Sequence, residues 1–130
     1  MIKEVYVSFE VAKLLKEKGF NTHCDTGWCE ELFNVEYPRN FSYGIDKKET
    51  WISRPTHQLA MAWLREEHNI HISVTIGCDV DNSNYIFYWA GIAKFTESSM
   101  DYIDPFGDAE FKTYEEAVEV ALKYTLENLI

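Results

Sequence analysis

Ile70-His71-Ile72-Ser73-Val74-Thr75-Ile76 alternates apolar and polar residues without a break. In extended chain successive side chains point to opposite faces, so this run predicts a strand with one face buried and the other wet. Gly77 to Asn84 is polar and turn-forming. Tyr85 to Phe95 then reads as a second strand, apolar on both faces: Tyr85, Phe87 and Trp89 on one, Ile86, Tyr88 and Ile92 on the other. Two such runs around a turn-rich loop predict a β-hairpin. A strand apolar on both faces is central in its sheet, or covered by a helix or by a second copy of the chain.

Helices are expected on either side of the hairpin. Before it, Leu59, Ala60, Trp63 and Leu64 recur at helical spacing behind Arg54-Pro55-Thr56, where Pro55 suits a first turn and Thr56 or Ser53 a cap. This helix should end near His68-Asn69. After the hairpin, Thr113 to Ile130 opens with a capping box. Thr113 accepts from the N–H of Glu116, and Glu116 reaches back to the N–H of Thr113. Ala117, Val118, Ala121, Leu122, Thr125 and Leu129 then follow at helical spacing. Near the N-terminus, Ser8 is a good N-cap, Phe9, Ala12 and Leu15 with Val11 and Leu14 form an apolar stripe, and Gly19 supplies a left-handed stop.

Residues 21–49 are rich in aromatics and turn formers. One or two short strands are expected near 22–37, with irregular structure to about Thr50. The phrases Leu14-Leu15-Lys16-Glu17 and Trp63-Leu64-Arg65-Glu66 each close a helix before extended chain, which hints at a duplicated helix–strand–strand unit. The fold class is therefore α+β: three helices packed on a small antiparallel sheet, in the order helix, short strands, helix, β-hairpin, helix. Residues 1–130 are expected to form a single domain. The expected core is Leu14, Leu15, Leu59, Trp63, Leu64, Ile70, Ile72, Val74, Ile76, Val118, Ala121 and Leu122.

Composition supports a packed core. Of 130 residues 46% are hydrophobic, and eight Tyr, eight Phe and four Trp argue against disorder. No apolar run approaches the roughly 20 residues needed to span a membrane. The N-terminus lacks a basic-then-apolar leader, and the expected location is cytoplasmic. Three cysteines, an odd count, argue against a disulfide scaffold. The net charge of −10 is uneven: residues 97–130 hold nine acidic and two basic side chains. Such a surface repels phosphates, so direct nucleic-acid binding is not expected. It suits a solvated face or a basic protein partner.

Chemistry is thin. His23, Cys24 and Cys29, completed by Cys78 or His71, carry zinc-ligand atoms but lack two tight ligand pairs. Residues 79–86 resemble the front of a calcium loop, yet Asn84 stands where that loop needs Gly and Ala90 where it needs Glu. No metal or cofactor is expected. His68 and His71 flank the end of the second helix without a visible nucleophile, and no phosphate-binding, zinc-protease or nucleophile-elbow motif is present. Adjacent pairs such as Glu66-Glu67 diverge on a helix and cannot face one another. Two surfaces remain. One is acidic: Asp101, Asp104, Asp108 and Glu110 in a Pro- and Gly-containing loop, with Glu115 and Glu119 on the last helix. The other is the aromatic strand Tyr85, Phe87, Tyr88 and Trp89, expected to mediate a homodimer. Lys94 is the lone basic residue on that strand, which disfavours base stacking.

Three stretches carry a family resemblance: Val11-Ala12-Lys13-Leu14-Leu15-Lys16-Glu17-Lys18-Gly19-Phe20, Arg54-Pro55-Thr56 with Ala60-Met61-Ala62-Trp63-Leu64-Arg65-Glu66 and His68-Asn69-Ile70-His71-Ile72, and most of Thr113 to Ile130. Together they resemble a family of small proteins from phages and other mobile elements of gut Bacteroidetes. The resemblance covers a little under half the chain and implies no activity or site residue. The hairpin followed by Thr-x-Glu-Glu-Ala is also similar to partial RNase-H-fold antitoxins, which implies an acidic partner for a basic toxin. The expected function is that of a non-enzymatic accessory protein acting by protein–protein binding. The alternative is an acidic antitoxin-like or decoy regulator of a basic partner. An enzyme without a recognisable motif comes third.

Overall fold

The computed structural model describes residues 1–24, 26–29, 51–82 and 84–130. The chain divides into two compact units, Met1–Ala60 and Met61–Ile130. The fold is α+β, with three helices and two small antiparallel sheets among the described residues. Among the described residues no helix is long and apolar enough to cross a membrane.

In the first unit, α1 spans Phe9–Glu17. The Ser8 hydroxyl accepts from the N–H of Val11 at 3.2 Å, and Gly19 stops the helix at φ 93°. Val11, Ala12 and Leu15 form its buried side, and α1 packs against β2. Strands β1 (Gly27–Cys29) and β2 (Trp51–Ser53) pair antiparallel, Trp28 opposite Ile52. The expectation of a short strand within 22–37 is met by β1, whereas β2 was not anticipated. The irregular structure expected up to Thr50 lies outside the described residues. The segment before α1 joins at Tyr6, which bridges Thr56, and the N–H of Val7 donates to the carbonyl of Pro55 at 3.0 Å.

Helix α2 spans His57–His68. The Thr56 hydroxyl accepts from the N–H of Leu59 at 3.1 Å, so Thr56 is the cap and Pro55 precedes the helix instead of lying in its first turn. Ala60, Met61, Trp63 and Leu64 are buried. Asn69, at φ 55°, ends α2 and passes directly into β3. The order helix, strand, strand thus occurs twice, each first helix closed by a left-handed residue.

In the second unit the sheet order is β3–β4–β5, all antiparallel, with β3 Ile70–Cys78, β4 Ile86–Phe95 and β5 Met100–Ile103. The strand that reads as apolar on both faces, β4, is the central one. Ile72 lies opposite Ile92, and Ile92 opposite Ile103. Helix α3 (Tyr114–Asn128) packs on β3 and β4. It buries Ala117, Val118, Ala121, Leu122, Thr125 and Leu126. Thr113 Oγ1 accepts from the N–H of Glu116 at 3.0 Å as expected. The reciprocal half of the box is displaced: the Glu116 carboxylate accepts from the N–H of Lys112 at 3.3 Å, one residue before Thr113.

Three readings need correction. Ile76 was expected in the core and is 61% exposed. Leu14, Leu59, Ile72 and Val74 are half-buried. Asp101, read as part of an acidic loop, lies inside β5 opposite Lys94.

Candidate functional site

The second unit presents a sheet with unlike faces. Paired residues share a face. The rows Ile70–Lys94–Asp101, Ile72–Ile92–Ile103, Val74–Ala90 and Ile76–Tyr88 therefore lie on one side. That side meets α3. Lys94 Nζ donates to the carbonyl of Leu129 at 3.3 Å, and the Tyr88 and Tyr114 rings meet edge-on at 6.2 Å. The lone strand cation is thus committed to the C-terminal end of a helix, where a positive charge is favourable.

The opposite face carries the rows Phe95–Met100, His71–Ala93–Tyr102, Ser73–Gly91, Thr75–Trp89 and Gly77–Phe87. Five large apolar side chains on or beside it are exposed: Tyr85 46%, Trp89 38%, Phe95 41%, Met100 55% and Tyr102 62%. Two glycines form its floor. A Cβ on Gly77 would stand 2.7 Å from Phe87 Cε2 and 2.8 Å from Trp89 Cη2, and one on Gly91 would stand 2.5 Å from the Tyr102 hydroxyl oxygen. The rings are laid over these glycines, a way of covering backbone that has no side chain of its own. Phe87 lies deepest and meets Trp89 edge-on at 4.8 Å. Gly77→Ala should push these rings apart. The expected result is altered near-ultraviolet circular dichroism and a loss of at least about 1 kcal/mol of stability, read from a melt; an unchanged aromatic spectrum would contradict the glycine floor.

The residues expected to self-associate separate accordingly. Tyr85 and Trp89 belong to the exposed face, and Phe87 is buried within it. Tyr88 is on the α3 side, with its N–H and carbonyl both bonded to Phe111 at 2.9 Å. Of the acidic set, Asp101, Asp104, Asp108, Glu110 and Glu115 are exposed, and Glu119 is half-buried. Phe95 shares this face with Trp89 by alternation along β4, whereas Met100 and Tyr102 join it only through the β4–β5 register, which their own sequence does not announce.

The first unit holds a cleft of about 240 Å³ whose walls include Glu4, Tyr6, His23, Cys24 and Arg54. The Arg54 guanidinium lies over two rings, 4.3 Å from the centre of Tyr6 and 5.2 Å from that of Trp28. The Cys24 thiol donates to the carbonyl of Thr22 at 3.5 Å. His57 is buried at the start of α2 and does not line the cleft. Among the described residues, no group of three or more His, Cys, Asp or Glu could hold a metal ion. Among the described residues neither Cys24 nor Cys78 forms a disulfide. The calcium-like stretch is an Asx turn, in which Asp79 Oδ1 accepts from the N–H groups of Asp81 at 2.7 Å and Asn82 at 3.2 Å.

Comparison with known proteins finds no match among protein-family models, curated proteins or solved structures. The functional reading therefore rests on the chain's own surfaces, and charge separates them further. Residues 61–130 hold thirteen acidic and four basic side chains, and residues 1–60 hold nine and eight. The sheet unit thus carries −9 of the chain's −10.

Proposed function

We propose that this chain is an accessory protein of a phage or other mobile element and acts by binding another protein through the open face of the β3–β4–β5 sheet. One observation carries the reading: Tyr85, Trp89, Phe95, Met100 and Tyr102 stand exposed around one sheet face. Clustered exposed apolar side chains mark interaction surfaces, and Tyr, Trp and Met are the residue types that interfaces favour. The charge of the same unit favours a partner whose apolar contact is surrounded by basic residues.

The test uses the whole chain as bait in host extract, beside a Trp89→Ser/Tyr102→Ser chain. The expected result is a protein held by the first, lost by the second, and released as salt rises. Retention of the same proteins by both baits, or of none by either, would overturn the reading. The charge imbalance also favours a second reading, a regulator that neutralises a basic protein through Asp101, Asp104, Asp108, Glu110, Glu115 and Glu119. In that case reversing those six charges abolishes capture, and the aromatic substitutions spare it.

A further inference from the structure

The two edges of the β3–β4–β5 sheet are built differently. The N–H of Phe95 donates to the carbonyl of Asn69, and that of Asp79 to the carbonyl of Tyr85, each at 3.0 Å. These bonds bracket the β3–β4 ladder. By the alternation of antiparallel pairing, the odd residues of β3 turn their N–H and carbonyl groups toward β4, and Ile70, Ile72, Val74, Ile76 and Cys78 turn theirs outward. Among the described residues no hydrogen bond reaches those outward groups.

Native edge strands are guarded by shortness, bulges, proline or charge. The other edge follows that rule: β5 has four residues and carries Asp101, and Phe111 occupies the adjoining stretch of β4 at Tyr88. β3 does not. It runs nine residues in unbroken register with no Lys, Arg, Asp, Glu or Pro. His71, Ser73, Thr75 and Ile76 along it are exposed.

We infer that two copies of this chain pair through the outer edge of β3, antiparallel about a two-fold axis at Val74, to form one six-stranded sheet. The outward groups complement themselves in this register. Val74 lies opposite Val74, Ile72 opposite Ile76 and Ile70 opposite Cys78 across the axis, so all five outward residues find partners. The register uses the full strand and brings the exposed Ile76 beside the half-buried Ile72 of the other copy. It brings no ionised carboxylate or ammonium to the seam, in a unit that is otherwise strongly acidic. A two-fold normal to the sheet keeps like faces together, so both aromatic faces join on one side. The seam stands independently of the docking reading, because Trp89→Ser/Tyr102→Ser leaves the outer edge of β3 intact.

Sedimentation velocity of the purified chain at micromolar concentration tests the inference. The expected species is a dimer that tightens with added salt, since salt screens the repulsion between two chains of charge −10. This is opposite to the salt response expected for a basic partner. Val74→Pro removes an outward N–H and no ladder bond, and should weaken association about thirtyfold or more. Should that variant lose its far-ultraviolet spectrum, cross-linking decides. Across the axis Ser73 and Thr75 form a non-hydrogen-bonded pair, with Cα atoms about 4.5 Å apart and within disulfide reach. On a Cys78→Ser background, a mixture of Ser73→Cys and Thr75→Cys chains should oxidise to a covalent dimer that neither forms alone. A monomeric wild type, a dimer unaffected by folded Val74→Pro, or failure of the mixed cross-link would overturn the inference.

Discussion

Leu122→Ala should unfold at a much lower urea concentration than the wild type, with a loss of about 2–5 kcal/mol. Leu122 is 0% exposed and sits mid-way along the buried stripe of α3, among Val118, Ala121, Thr125 and Leu126. The sheet side that meets this helix includes Ile70 and Ile92, both also 0% exposed. Truncation removes a methine and two methyl carbons from a close-packed site, which relaxes only in part around the void. A domain of this size has a total stability of only about 5–15 kcal/mol, so the loss is a large fraction of it. Urea titration followed at 222 nm in the far ultraviolet gives the midpoint. A midpoint shared with the wild type would mean that α3 does not bury this side chain against the sheet.

Thr125→Val should act in the opposite direction, with a gain of about 1–3 kcal/mol. Thr125 lies on the same stripe and is 0% exposed, and its hydroxyl oxygen has no hydrogen-bond partner among the described residues. An unsatisfied hydroxyl forfeits its hydration on burial and recovers nothing. Valine keeps the shape and the β-branch and replaces that hydroxyl with a methyl, so packing is conserved while the desolvation cost disappears. The two substitutions lie one helical turn apart and share neighbours, and their effects should not be strictly additive. A melting midpoint for Thr125→Val at or below that of the wild type would show that the hydroxyl is satisfied in solution.

Where the sequence predicted structure well, it did so through local signals. Ser8, Thr56 and Thr113 announce their helices because capping involves neighbours three residues away, and each does cap as its position suggests. The alternation of residues 70–76 identified β3, and the two apolar faces of residues 85–95 left a central strand as one of the alternatives, which is the place β4 takes. What was missed lacks a local pattern. β2 has three residues, too few for a period. β5 contains Asp101 and follows a polar turn, so its sequence resembles loop. Ile76 went wrong because alternation says which face a residue lies on, not whether the helix covers that position of an edge strand. The aromatic face was half legible: Tyr85 and Trp89 are visible as a cluster, but Met100 and Tyr102 reach them only through the β4–β5 register. The contacts of Arg54 with Tyr6 and Trp28 join residues far apart in the chain, and no local pattern relates them.

The contrast between the two sheet edges also sets where growth stops. Pairing by a two-fold at β3 consumes both unguarded edges at once and leaves a β5 at each outer limit. Those limits are short and carry Asp101, so a third chain finds no template and the assembly closes. The shortness of β5 and the charge of Asp101 together make the assembly a closed pair instead of a filament.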